Sequence, residues 1–194
     1  GQDIWFVPYY YNRLCRYHCG ENKITLLKQL PVKNEIEGLY VNLCKVNHYF
    51  ILLPYRANDI CIYDSLMDTF QMIPLKESNQ LNKFGISAVW NDWVYLFPFA
   101  YPAICKVNMK TGTVDYLTSW LDEISEKNYY FRWDYHVENN FVYLILAQTN
   151  QIFRFDMAND TYAFIAVGDV SESYTSIHFE SEKDSTAKDT DQPS

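Results

Sequence analysis

The sequence predicts an all-β fold in which one four-stranded antiparallel sheet recurs along the chain. Three observations predict it. Aromatic residues make up 18% of the 194 positions, from 17 Tyr, 12 Phe and 5 Trp, against only six Gly and seven Pro. Side chains of that kind suit the pleated, half-buried surface of a strand. Four stretches align without a gap, beginning WFVPYYYN at Trp5, ILLPYRAN at Ile51, YLFPFAYP at Tyr95 and YLILAQTN at Tyr143. Turn-forming residues recur at fixed places inside each stretch.

Taking Pro8, Pro54, Pro98 and Leu146 as anchors, the copies stand 46, 44 and 48 residues apart. A period of that size marks a repeat architecture in which each unit is one small sheet. The strand that ends at the anchor is the second of its unit, and a loop leads from it to the third. On that third strand the sixth residue past the anchor (Leu14, Ile60, Ile104, Ile152) and the ninth (Tyr17, Tyr63, Val107, Phe155) are apolar core positions. The tenth (His18, Asp64, Asn108, Asp156) opens a turn that closes at Asn22, Asp68, Gly112 or Asp160, residue types that accept a tight reversal. A fourth strand resumes with Ile24, Phe70, Val114 or Tyr162. Upstream, the short turns Asn47-His48, Asn91-Asp92 and Asn139-Asn140 join a first strand, as at 86–90 or 131–137, to the second.

A full unit therefore reads strand, tight turn, strand, loop, strand, tight turn, strand. In sheet size and period it resembles the blade of a β-propeller, and the resemblance runs from residue 4 to about 168. Its pattern looks more like uncharacterised bacterial propeller-like repeats with an aromatic-Pro anchor and an Ile-x-x-aromatic-Asp strand. The Gly-His and Trp-Asp signature of WD40 blades is absent, as is the paired glycine of kelch blades, so the resemblance implies an architecture and no activity. A pair of β-sandwich domains is the competing reading, and it gives no reason for four ungapped copies. The expectation is one propeller domain over 1–180, with four blades if the chain is complete and a larger ring, whose closing blade holds segment 173–180, if it is a piece of a longer protein. Only Gly1 to Asp3 precede Ile4, so the first blade lacks its first strand, and the alternating segment 173–180 (SYTSIHFE) is expected to supply it and close the ring. The tail 181–194 has Ala187 as its one apolar residue and is expected to be flexible, because it buries too little to offset its ordering entropy.

Composition excludes several function classes. Sixteen Lys and Arg against 24 Asp and Glu leave a net charge of −8, which repels nucleic acid and anionic membranes. No apolar stretch approaches the roughly 18 residues of a membrane span, so a soluble domain without membrane insertion is expected. Five cysteines, an odd number, argue against a complete set of intramolecular disulfides and favour a reducing, cytoplasmic compartment. A signal peptide is beyond reading, because residue 1 is Gly rather than Met.

Chemical motifs are sparse. Cys15, Cys61 and Cys105 share the seventh position past the anchor, where the fourth unit has Phe153. A slot shared with Phe is a packing slot, and equivalent positions on sheets about 10 Å apart lie beyond disulfide or zinc reach. No metal and no cofactor are expected. His18, His48, His136 and His178 show no metal-ligand spacing, and the scattered glycines form neither a phosphate loop nor a nucleophile elbow. Asp122, Glu123 and Asp134 read as surface charges, and the Asn159-Asp160-Thr161 sequon falls in the turn slot of the fourth unit.

One constellation carries a functional expectation. In a meander blade the loop after the anchor lies on the same face of the ring as the linkers between blades, so these segments gather around one mouth. They carry Tyr9, Tyr10, Tyr11, Tyr55, Arg56, Phe99 and Tyr101, with polar Ala147-Gln148-Thr149 in the fourth unit. Flat rings cover apolar CH surface while Arg and Asn orient hydroxyls or amides. The expected function is a non-enzymatic module binding a glycan, peptide or protein partner, with Tyr9, Tyr11, Tyr55, Arg56, Phe99 and Tyr101 as ligand-binding residues. The opposing expectation is that the rings directly after the anchor wedge between blades as core. The alternative function is a propeller enzyme, a hydrolase or lyase acting on glycans with carboxylates near the central axis. No catalytic residue is singled out.

Overall fold

A computed structural model describes residues 3–7, 9–32, 37–124, 130–147 and 149–167. Among these residues fifteen strands fall into four antiparallel sheets taken up in chain order. The first sheet is β1 (Asp3–Phe6), β2 (Arg13–His18) and β3 (Lys23–Gln29). The second is β4 (Tyr40–Val46), β5 (Tyr49–Pro54), β6 (Asp59–Asp64) and β7 (Thr69–Pro74). The third is β8 (Phe84–Trp90), β9 (Trp93–Pro98), β10 (Ile104–Asn108) and β11 (Val114–Leu117), followed by a short 3-10 helix, Ser119–Glu123. The fourth is β12 (Phe131–Glu138), β13 (Phe141–Leu146), β14 (Gln151–Asp156) and β15 (Thr161–Ala166). Each four-stranded sheet is a simple up-and-down meander, and the first has three strands among the described residues.

The turn chemistry explains why the chain reverses where it does. Asn47, Asn91 and Asn139 sit at φ 55°, 55° and 54° between the first and second strands, and Asn22, Asp68 and Asp160 at 50°, 51° and 54° between the third and fourth. Asn and Asp reach this left-handed region at lower cost than other side-chain-bearing residues. The third sheet uses Gly112 at φ 71° for the same reversal. The carboxylate of Asp64 accepts from the N–H of Leu66 and Met67, at 2.9 and 3.1 Å, and Asn108 repeats this with Lys110 and Thr111. Asp156 takes the same role in the fourth sheet. Its partial burial works to raise its pKa, but bonds from Asn159, Asn140 and the N–H groups of Ala158 and Asn159 outweigh that and hold it below the usual carboxylate value.

Packing follows from strand alternation. On β5, Phe50 and Leu52 pack toward the first sheet while Ile51 and Leu53 pack toward the third. On β9, Val94 and Leu96 face the second sheet while Tyr95 and Phe97 face the fourth. Three apolar clusters therefore join sheets one to two, two to three and three to four. Their first strands lie close, with Asn42 Nδ2 on β4 donating to the Gly85 carbonyl on β8 at 3.4 Å. The sheets thus splay from a hub as the blades of a β-propeller. Trp120 of the 3-10 helix seals the last junction, its ring against Tyr130, Phe131 and Phe153 and its indole N–H donated to the Leu117 carbonyl at 2.9 Å.

Of the four anchors, Pro54, Pro98 and Leu146 end β5, β9 and β13. Pro8, the expected closing strand 173–180 and the tail 181–194 lie outside the described residues.

Candidate functional site

In the first three blades the loop after the second strand lies beside the linker that enters the next blade, and a chain of backbone hydrogen bonds ties them together. The Tyr9 carbonyl accepts from Gly38 N–H at 2.9 Å, and the Leu39 carbonyl then accepts from Tyr55, Arg56 and Ala57 at 2.8, 3.2 and 3.2 Å. At the next junction the Tyr55 carbonyl accepts from Lys83 at 2.9 Å, and the Lys83 carbonyl from Phe99, Ala100 and Tyr101 at 2.7, 3.3 and 3.4 Å. The Phe99 carbonyl then accepts from Tyr130, whose own carbonyl accepts from Ala147, both at 2.8 Å. This belt satisfies backbone groups that an ordinary loop leaves to water, and it fixes the first loop residue of each of the first three blades, Tyr9, Tyr55 and Phe99, against the next blade.

On that belt sits an aromatic strip. Trp133 of β12 lies 5.6 Å from the Phe99 ring and 6.2 Å from the Tyr55 ring, centroid to centroid. The strip has its seat because β8 carries Gly85, where a Cβ would fall 2.3 Å from Trp133 Cζ3. Tyr9 is seated in the same way at the first junction, its ring over Gly38, which also needs its φ of +66°. The crevice between Gly85, Pro98, Phe99, Arg132 and Trp133 is filled by these rings too tightly to hold a water. What the mouth presents is a surface, with Trp133, Tyr9, Tyr10 and Tyr11 exposed and Tyr55 and Phe99 half-buried.

Arg56 stands half-buried beside Tyr55. Its Nη1 donates to the Glu37 carbonyl at 3.4 Å, and its buried Nε has no hydrogen-bond partner. Lys83 is 2% exposed, the one buried charged residue described, and burial pushes its ammonium pKa below the usual value. The other two belt positions that match it carry Leu39 and Tyr130, so a lysine there departs from its own repeat.

Tyr101 differs from the expectation. It is 2% exposed, packed against Phe84 and Tyr116 between the second and third sheets, with its hydroxyl donated to the Lys76 carbonyl at 3.0 Å. The loop curls around the Lys83 carbonyl, and this turns the third residue past the anchor inward while Phe99 stays at the mouth. Burial accordingly raises the Tyr101 phenol pKa. Sequence reasoning also missed Trp133 and Lys83. A glycine inside strand 84–90 signals a close approach by another group, and an alignment of the linker ends isolates the lysine.

The cysteines are five free thiols. Cys15, Cys61 and Cys105 are buried and Cys19 is exposed. Burial raises the Cys61 thiol to about 12. Among the described residues no group of three or more His, Cys, Asp or Glu is placed to hold a metal ion, and no helix is long and apolar enough to cross a membrane. Asp122 and Glu123 lie in the 3-10 helix and Asp134 on β12, all exposed.

No protein-family model matches the sequence, and no curated protein matches it. Solved structures do. A structure described as a streptogramin B lyase superimposes on 86% of this chain with a TM-score of 0.64 at 14% identity, and a nidogen/laminin complex on 86% with a TM-score of 0.58 at 10% identity. This chain spans 51% and 60% of those two chains. At such identities the likeness establishes the fold alone, and the fold that the strand order and the comparisons agree on is a β-propeller.

Proposed function

We propose that the mouth is a non-catalytic binding surface for a glycan or peptide, with the Tyr55, Trp133 and Phe99 strip as its platform. Tyr9, Tyr10 and Tyr11 extend it at the first blade, and Arg56 supplies a cation beside it. The observation that carries this reading is that three rings from three different blades meet on one exposed face, two of them on a hydrogen-bonded belt. Rigid aromatic area costs little side-chain entropy to present to a ligand. The unpaired Nε of Arg56 is a donor that a ligand carbonyl, hydroxyl or carboxylate would satisfy. One of the superimposable structures is a complex between two proteins, which fits a propeller surface used for recognition.

The enzymatic alternative, a hydrolase or lyase acting on glycans, draws support from buried Lys83 and from the lyase among the superimposable structures. The two described carboxylates held below the usual value argue against it. Asp3 begins β1 and Asp156 ends β14, at the strand ends away from the mouth.

The test is a glycan array and a peptide library probed with the wild-type chain. Any ligand found is then measured by calorimetry against Trp133→Ala and against Tyr11→Ser combined with Arg56→Gln. Lost affinity with an unchanged melting curve supports the surface. Full affinity in both variants, or no ligand in either library, overturns it, and turnover of a bound glycan would establish the alternative.

A further inference from the structure

Three neighbouring positions on one face of the first sheet depart together from the repeat. Counted from the anchor, Asp3 stands where the other copies have the aromatic Tyr49, Trp93 and Phe141. His18 stands where they have Asp64, Asn108 and Asp156, and Thr25 where they have Gln71, Asp115 and Ala163. Strand pairing sets the three in two cross-strand rows, Asp3 with His18 and Lys23, and Trp5 with Arg16 and Thr25. This face turns toward the second sheet, with the Trp5 ring 4.3 Å from that of Phe50. Asp3 begins β1, His18 ends β2 and Lys23 begins β3, so the array lies at the strand ends away from the mouth. Sites where a sequence breaks its own local rule are where function is found.

The three side chains are joined in series. His18 Nδ1 lies 3.3 Å from Asp3 Oδ1, and His18 Nε2 lies 3.0 Å from Thr25 Oγ1. The other Asp3 oxygen accepts from Arg16 Nε at 2.8 Å and from Arg16 Nη2, and this guanidinium holds the carboxyl below its usual pKa. Arg16 is fixed in turn over the Trp5 ring, 5.4 Å from its centroid. An ionised carboxylate can only accept, so in the neutral imidazole the proton sits on Nδ1 and the Nε2 lone pair faces the Thr25 hydroxyl. A hydroxyl on a base, with the base oriented by an acid, is the arrangement that activates an oxygen nucleophile. The His18 and Asp3 side chains are 21% and 22% exposed and Thr25 is half-buried, which leaves the group open to a small reactant.

We propose that Asp3, His18 and Thr25 form a second site, separate from the mouth, that hydrolyses small carboxylic esters through an acyl-threonine intermediate. Thr25 Oγ1 attacks the acyl carbon, and its proton passes to His18 Nε2. The bond from the acyl carbon to the alcohol oxygen then breaks, and His18 gives that proton to the leaving alcohol. Water attacks the acyl-Thr25 ester with His18 again as base, which frees the carboxylic acid and restores the Thr25 hydroxyl. Asp3 is a positioning residue that fixes the imidazole tautomer and stabilises its cation. Lys23, opposite His18 and two residues before Thr25 on the same face, supplies positive charge for the tetrahedral oxyanion. Esters are the class that suits the site, because their acyl carbon is more electrophilic than that of an amide and their alcohols leave more readily.

The wild-type chain is incubated with a fluorophosphonate, which traps activated hydroxyl nucleophiles, and its digest is read by tandem mass spectrometry. An adduct on Thr25 is expected in the wild type and none in His18→Gln. With p-nitrophenyl acetate as substrate, Thr25→Val and His18→Gln should each lower kcat/KM about 100-fold or more. Asp3→Asn should lower kcat with KM unchanged, a split that loosened packing alone would not produce. His48→Gln, which removes an imidazole beside a different carboxylate, Asp64, should leave turnover as it was. Each variant is checked for wild-type near-ultraviolet circular dichroism. A wild-type chain with no label on Thr25 overturns the proposal without recourse to any variant. Ester turnover equal in wild type and folded Thr25→Val overturns it as well, and neither result bears on the mouth.

Discussion

Replacing Tyr95 by Phe tests whether the turn of one blade is latched by the face of another. Tyr95 is fully buried, and its hydroxyl lies 2.7 Å from the Met157 carbonyl and 2.8 Å from Asp160 Oδ1. One hydroxyl carries one proton, and the carboxylate is the stronger acceptor. Losing a bond to a charged group costs about 1.5–3 kcal/mol. Asp160 retains the Lys106 ammonium at 2.6 Å, which places the loss toward the lower end, at about 2 kcal/mol. For a domain of this size that lowers Tm by about 4–8 °C. The assay is scanning calorimetry together with urea unfolding followed by tryptophan fluorescence. Tyr143 is an internal control, because it occupies the same repeat position in the fourth blade, half-buried against His136 and Phe141. Tyr143→Phe is expected to change stability by less than about 0.5 kcal/mol. Equal losses in the two variants would refute the latch and reduce Tyr95 to a packed ring.

Three further outcomes are expected. Burial pushes the Lys83 ammonium below its usual 10.5, so between its folded pKa and 10.5 the unfolded chain binds a proton that the folded chain lacks, and stability rises with pH across that window. Lys83→Met should therefore exceed wild type in urea midpoint near neutral pH, with an advantage that shrinks toward pH 10.5; a constant difference or a loss contradicts this. Gly85→Ala drives a Cβ to within 2.3 Å of Trp133, which must unseat the ring at a cost of about 1–3 kcal/mol and shift its emission to the red; an unchanged spectrum would show that the seat is not tight. Under native conditions a thiol reagent should modify Cys19 within its mixing time, and Cys61 and Cys105 only after unfolding, which mass spectrometry of quenched samples reads directly.

The amino-acid order alone determined the repeat, the turns and the strand faces, because each is a short-range property. Asn at φ near 55° and alternating apolar positions act over two to five residues and read the same in every copy. The order of strands within a blade follows from them, since a tight turn can join only antiparallel neighbours. What lies across a blade junction was decided by tertiary structure. Whether Tyr101 turns inward or Phe99 stays at the mouth depends on three N–H groups closing on one carbonyl of Lys83, a residue 16 to 18 positions earlier. Trp133 joins Tyr55 and Phe99 because Gly85, nearly 50 residues before it, leaves the space. Such contacts join residues that are distant in sequence and near in space, and no local pattern encodes the distance between them.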